Sequence, residues 1–211
     1  TGSYSFRLLD VAAATALPPG ATVSGTLDPA YESALYSFTA NEGDSYYFDV
    51  QTGFSNATWR LVDPFGEVIA STGFNTDIDT FAMPRGGRYT IAIEGRRNSV
   101  GSAAYSFNVQ PVSEPVPAAL VIGETIDANI SVTGESDLVT FTPGAEARLH
   151  SDGQTTDAAM RWSLDGPQGS VVAHRAFTVS DSFDFGDPVL SLFAGDYTLT
   201  VDALADHTGD Y

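Results

Sequence analysis

Asp77 and Asp79 stand two residues apart, and a second acidic group, Asp181, Asp184 and Asp187, lies later in the chain. Carboxylates at such spacing are the raw material of a calcium site, which takes roughly six to eight oxygens from loop carboxylates and carbonyls. No run has the spacing of an EF-hand loop. The expectation is therefore a loop-built calcium site drawing on Asp77, Asp79, Asp181 and Asp184, set against turn-capping or solvated aspartates. Asp152 and Asp157 flank a further glycine-containing loop. His150, His174 and His207 are scattered without a His-x-x-x-His or His-Glu pairing, so they read as surface residues rather than zinc ligands. No Gly-x-Ser-x-Gly elbow supports a serine nucleophile, and no glycine loop opens a helix to hold phosphate. These residues point away from catalysis.

Aromatic residues offer a different chemistry. Phe54, Phe65 and Phe74 fall in turn or loop positions, where an exposed ring can stack on a sugar or seat a peptide. Anchoring of the loops onto a core is the competing expectation. Trp59 and Trp162 sit within alternating strand patterns and are expected to be core.

The charge balance excludes some partners. Asp and Glu total 27 against nine Arg, lysine is absent, and the formal net charge is −18. Such a surface repels phosphate backbones, so nucleic acid is not an expected partner. No apolar run reaches the roughly 18 residues of a membrane span. There are no cysteines, so neither disulfides nor thiol chemistry enter.

The elements that must position these residues are written nearly twice. Trp59, Leu61, Pro64 and Gly66 return as Trp162, Leu164, Pro167 and Gly169, at a constant offset of 103. The same offset links Gly20 to Gly123 and Phe38 to Phe141. Fixed-period similarity at core-type positions marks a duplicated domain. Short alternating runs rich in β-branched and aromatic residues, separated by Gly, Pro, Asn and Asp, predict an all-β antiparallel sandwich in each copy. Asp63-Pro64-Phe65-Gly66 and Gly166-Pro167-Gln168-Gly169 are predicted tight turns. The predicted organisation is unit one at 11–112, a Pro-rich linker at 113–119, and unit two at 120–211.

A closing strand of the form Tyr-x-Phe-x-hydrophobic appears at Tyr105–Val109. It appears again at Tyr4–Leu8, while in unit two it stops at Tyr211. Residue 1 thus falls mid-pattern, as in a segment of a longer chain. Three fates are open for residues 1–10: completing unit two as a split domain, completing a neighbouring molecule, or belonging to a preceding unit.

Gly25-Thr26-Leu27, Tyr36-Ser37-Phe38, Leu61-Val62-Asp63-Pro64-Phe65-Gly66, Gly87-Arg88-Tyr89 and Tyr105-Ser106-Phe107, in this order, resemble the bacterial pre-peptidase C-terminal (PPC) domain. Unit two resembles it more loosely, with Val139 in place of the tyrosine but with Gly195-Asp196-Tyr197 retained. The resemblance implies two tandem jelly-roll-like β-sandwich domains without shared catalytic residues, of the kind repeated in large RTX-type bacterial adhesins. It further implies an extracellular or bacterial cell-surface setting. There the chain would space or present ligand-binding domains, with neighbouring domains of the same long chain as its partners. The alternatives are a carbohydrate- or peptide-binding module, in some cases calcium-dependent, and a secretion or targeting domain appended to an extracellular protease.

Overall fold

The structure is a computed structural model that describes residue 4, residues 6–181 and residues 189–211. The chain divides into two compact units, Thr1–Pro111 and Val112–Tyr211. Both are built from β-strands and are sandwich-like, as the alternating patterns predicted.

In unit one the strands are β1 (Thr15–Ala16), β2 (Val23–Leu27), β3 (Ser33–Ala40), β4 (Ser45–Thr52), β5 (Ala57–Val62), β6 (Val68–Gly73), β7 (Ile78–Ala82), β8 (Gly87–Gly95) and β9 (Ala103–Val112). They form two sheets, ordered β1-β3-β8-β5-β6 and β2-β9-β4-β7. From β2 onward the chain changes sheet at every link except the β5–β6 hairpin. Side chains alternate faces along a strand, so Trp59 and Leu61 of β5, Tyr89, Ile91 and Ile93 of β8, and Tyr105, Phe107 and Val109 of β9 all turn inward and are buried.

The interior of unit one is an aromatic mesh. Phe107 lies with its ring centre 5.3 Å from that of Tyr36 and 6.0 Å from that of Trp59, in edge-to-face contacts, the arrangement the ring quadrupole favours. The polar ends of these rings are satisfied. Trp59 Nε1 donates to the Thr76 carbonyl at 3.2 Å, and the Tyr36 and Tyr105 hydroxyls hydrogen-bond each other at 2.7 Å. Burial, followed by that hydrogen bond, pushes the Tyr105 phenol above its ordinary range.

Unit two repeats the plan with β10 (Ala118–Ala119), β11 (Asn129–Ile130), β12 (Ser136–Phe141), β13 (Ala147–His150), β14 (Met160–Gly166), β15 (Gly169–Ala176), β16 (Val189–Leu192), β17 (Tyr197–Ala203) and β18 (Gly209–Asp210). The first sheet is preserved as β10-β12-β17-β14-β15. It carries Phe141, Trp162, Leu164, Val172, Tyr197 and Val201 into the core. The second is reduced to two separate ribbons, β11-β18 and β13-β16.

The repeated turn is explained by backbone conformation. Gly66 accepts a positive φ of 90° and donates to the Asp63 carbonyl at 3.0 Å, and Gly169 has the same handedness at φ 103°. Only glycine adopts this conformation without strain.

Two boundaries differ from the sequence reading. Ala118 and Ala119, assigned there to the linker, pair in parallel with Val139 and Thr140 and so belong to unit two. The Tyr4–Leu8 pattern, read as a strand, forms none among its described residues, and Phe6 is 78% exposed. Phe6 thus has no buried place, and the alternation of the described part of this segment meets no core of its own unit.

Candidate functional site

The acidic candidates serve internal ties. Asp77 precedes β7 and accepts from the Val50 amide at 2.8 Å and the Tyr47 hydroxyl at 2.9 Å, which fastens that loop to β4. Both of its oxygens are thereby used. Asp79 is exposed, and its Oδ1 accepts from the Thr80 amide at 2.8 Å. Asp181 accepts from the Gly153 amide at 2.7 Å. Asp184 lies outside the described residues. Among the described residues no three acidic or histidine side chains converge on one point, and the structure gives Asp77, Asp79 and Asp181 the protein partners named above. Asp77→Ala is expected to lower the stability of unit one by about 1–3 kcal/mol, because it strands the Val50 and Tyr47 donors. Urea midpoints measured with and without calcium check this. The loss should be equal in both, and a loss confined to the calcium series would restore the metal reading.

The phenylalanine candidates separate. Phe74 is fully buried, its ring centre 5.4 Å from that of Trp59, so it cannot present a face to a ligand. The loop folds back and makes the residue core. Phe54 is partly buried against Phe74. Phe65 is 75% exposed, but the Arg85 guanidinium lies over its ring at 5.0 Å from the centre, so one face is already taken by a cation.

Arg85 also pairs with Asp63, whose side chain is fully enclosed. The Phe65 and Glu67 amides each donate to Asp63 Oδ1 at 2.9 Å, closing the turn between β5 and β6. Burial pushes the Asp63 carboxyl up, but these two amides and the Arg85 guanidinium outweigh it and hold the carboxyl below the usual value of 3.8. A depressed folded-state value stabilises above the unfolded-state value, and that contribution disappears as pH falls through the folded-state value. The melting temperature of Asp63→Asn should therefore lie below that of the protein by a constant gap down to about pH 4, and the gap should narrow below that. A pH series of thermal unfolding reads this directly, and a gap that is flat into the acid range would remove Asp63 as its source.

His207, read as a surface residue, hydrogen-bonds Asp157 at 2.6 Å. Asp157 also accepts from the Ala159 amide at 2.8 Å, so the pair ties the loop before β14 to the turn before β18.

A concave feature lies in unit two, beside the two separate ribbons. A groove of about 980 Å³ is lined by Leu120, Ile126, Leu149, Phe177, Leu199 and Tyr211, among others. Unit one shows what is different. There β9 lies between β2 and β4, and Phe107 and Val109 are fully buried. In unit two the matching strand β18 has two residues, and the ladder against β11 is extended only by the Ala128–Tyr211 pair of backbone hydrogen bonds at 3.0 and 3.1 Å. Leu199 is consequently only half-buried, whereas Ile91, its counterpart in unit one, is 1% exposed. The groove-lining residues carried no chemical signal of their own in the sequence.

The fold defines a class, an all-β protein of two sandwich-like units. No protein-family model matches the chain, and no curated protein does. Among solved structures, the chain is similar to PliG of Aeromonas hydrophila, a periplasmic lysozyme inhibitor of g-type lysozyme, with 19% identity and a TM-score of 0.41. That match covers 46% of this chain and 95% of that one. The corresponding Salmonella Typhimurium inhibitor is 20% identical with a TM-score of 0.36, covering 46% and 96%. The pre-peptidase C-terminal domain of a Bacillus anthracis collagenase is 18% identical with a TM-score of 0.40, covering 50% and 100%. Likenesses of this depth carry no argument, and the fold assignment rests on the strand pairing described above. No helix among the described residues is long and apolar enough to cross a membrane, which says nothing of β-barrels.

Proposed function

We propose that this chain is a non-enzymatic structural segment of a large secreted bacterial surface protein, an adhesin-type array in which PPC-like jelly-roll units space or present other domains. The observation that carries the reading is the use made of the reactive side chains. Asp63, Asp77, Asp157 and Asp181 each accept hydrogen bonds that fasten loops to their own unit. Duplicated sandwiches fastened in this way resist extension, which suits a spacer. The strand orders β2-β9-β4-β7 and β3-β8-β5-β6 in unit one support the jelly-roll reading. The acidic, lysine-free surface suits a dissolved extracellular segment.

The test is mechanical. Pulled from its ends in a single-molecule experiment, the chain should give two separate rupture steps, each releasing about 330–360 Å per hundred residues. Smooth extension without steps would defeat the spacer reading.

A second reading, a peptide-binding module, is favoured by the groove of unit two. Retention of unrelated extended peptides on a peptide array would promote it over the spacer. A glycan-binding role would have to use Phe65, and glycan retention abolished in Phe65→Ala is the result that would establish it. Secretion or targeting of an appended protease is the remaining role of this class.

A further inference from the structure

Strand β6 forms one edge of the first sheet of unit one, with β5 as its only neighbour in that sheet. Exposed edges recruit other strands unless a charge, a proline or a bulge guards them. β6 reads Val68-Ile69-Ala70-Ser71-Thr72-Gly73, with neither charge nor proline. Its register shift lies near the start, between the Leu61 and Val62 pairings, and the ladder from Ala70 to Gly73 is regular.

The hydrogen-bond phase of that ladder decides which groups face outward. The Phe74 amide donates to the Ala57 carbonyl at 2.9 Å, and the register continues as Gly73 on Thr58, Thr72 on Trp59, Ser71 on Arg60 and Ala70 on Leu61. Bonded pairs alternate with non-bonded pairs in an antiparallel ladder. Thr72 and Ala70 therefore direct their amides and carbonyls to β5, whereas Ser71 directs both of its groups away from it, as Gly73 does its amide.

Unit two closes the same edge. At the offset of 103, Ser71 corresponds to His174 of β15. His174 has a positive φ of 42°, which a residue with a side chain seldom adopts. Its amide donates to Ser163 Oγ of the neighbouring β14 at 2.9 Å. Thr72 corresponds to Arg175. A withdrawn amide and a cation thus stand in β15 where β6 presents an outward amide and a neutral side chain.

We propose that β6 is a docking edge for β6 of a second copy of this chain, paired antiparallel about a two-fold axis at Ser71. The edge is self-complementary in that register. The Ser71 amide of each copy meets the Ser71 carbonyl of the other, and the Gly73 amide faces the partner's Ile69. One patch serves both copies, so the contact closes at a dimer. The added strand covers Ile69 and Ala70, which are half-buried at this margin of the core. Like charges directly opposite oppose strand pairing, and β6 has none. Charge also favours unit one as the meeting place. Unit one carries 11 acidic residues against six arginines, a net charge of −5, and unit two carries 16 against three, a net charge of −13. Unit one is therefore the half on which two copies repel each other less.

Sedimentation of the full chain over a wide range of concentration tests the proposal, together with four single variants. Ser71→Pro removes the outward amide and no ladder bond of its own sheet. Ser71→Lys sets like charges opposite each other across the axis, and it decides the matter should proline disturb the fold. Ser71→Cys exploits the absence of cysteine from the chain. Opposed residues of a bonded pair stand about 5.5 Å apart at Cα, within disulfide reach. Ser24→Cys, at an exposed position of β2 in the other sheet, is its control.

The parent chain should form dimers, and nothing larger, as concentration rises. Ser71→Lys should stay monomeric at an unchanged melting temperature, and Ser71→Pro likewise wherever it keeps the parent's circular dichroism. Mild oxidation should cross-link Ser71→Cys on the order of tenfold faster than Ser24→Cys, because pairing raises the local thiol concentration. A parent that is monomeric up to its solubility limit, association that Ser71→Lys leaves intact, or equal cross-linking of the two cysteine variants would each overturn the proposal. If a monomeric parent retains extended peptides on an array and Ser71→Lys does not, the edge takes a foreign strand, which rejects the second copy.

Discussion

Trp59→Ala is expected to lower the stability of unit one by about 3–5 kcal/mol, the range for deleting a large aromatic from a packed core. Trp59 is 1% exposed and touches Phe48, Phe74 and Phe107 edge-on. Its removal opens a cavity beneath both sheets and leaves the Thr76 carbonyl without the indole donor. The chain has two tryptophans, so in this variant Trp162 alone reports by fluorescence. In a urea titration the Trp162 transition should hold its midpoint while the circular-dichroism signal of unit one moves to lower urea. A variant whose unit-one midpoint stays within about 1 kcal/mol of the parent would show that the core repacks around the gap.

Gly95→Ala should be comparably damaging for a different reason. A Cβ at this position would sit 1.9 Å from the Ala30 carbonyl oxygen and 2.8 Å from its carbon. Both are backbone atoms, so no side-chain rotation relieves the clash. The Gly95 amide also donates to the Glu32 carbonyl at 2.9 Å, which holds the end of β8 against the loop that leads into β3. The expected loss lies at the upper end of single substitutions, about 4–5 kcal/mol. Gly144→Ala, at a glycine that likewise has no positive φ and where an added Cβ meets nothing within 4 Å, is the matched control for replacing glycine alone. Equal losses at the two positions would show that steric contact at Gly95 is not the cause.

Much of this architecture was readable in the residues. The repeat placed Trp59 and Trp162 in equivalent strands, and both are core. The Pro-Gly turns fell where the alternation stopped, because turn geometry is a local property of a few residues. Asp77 was ambiguous because an acidic pair looks the same in sequence whether its oxygens face a cation or a neighbouring amide. Only the return of the chain to β4 decides between them. Phe74 was misread as a loop residue available to a ligand. A signal was present, since Phe74 recurs as Phe177 at the offset shared by the tryptophans, and a residue repeated at the core period belongs with the core. The unused segment at Tyr4–Leu8 was visible as a motif. That it pairs with no strand among the described residues is a long-range fact.

The buried tyrosine pair of unit one has a consequence for how such units diverge. Gly25 lies opposite Tyr105, and a Cβ there would come within 2.4 Å of the Tyr105 hydroxyl, which is pinned by Tyr36. In unit two the matching residues are Ala128, Tyr211 and Val139. With a methyl group on one side and no hydroxyl on the other, Tyr211 turns instead to Asp137 at 2.7 Å. The two copies therefore differ in how these three positions, far apart in the chain, fit together. Genetic exchange between the two copies is constrained accordingly. A crossover falling between β2 and β9 would combine one parent's methyl group with the other's tethered tyrosine, whereas one that transfers the whole unit inherits a matched set. Arrays built from such units should recombine at unit borders, and their sequence families should sort by whole units rather than by strands.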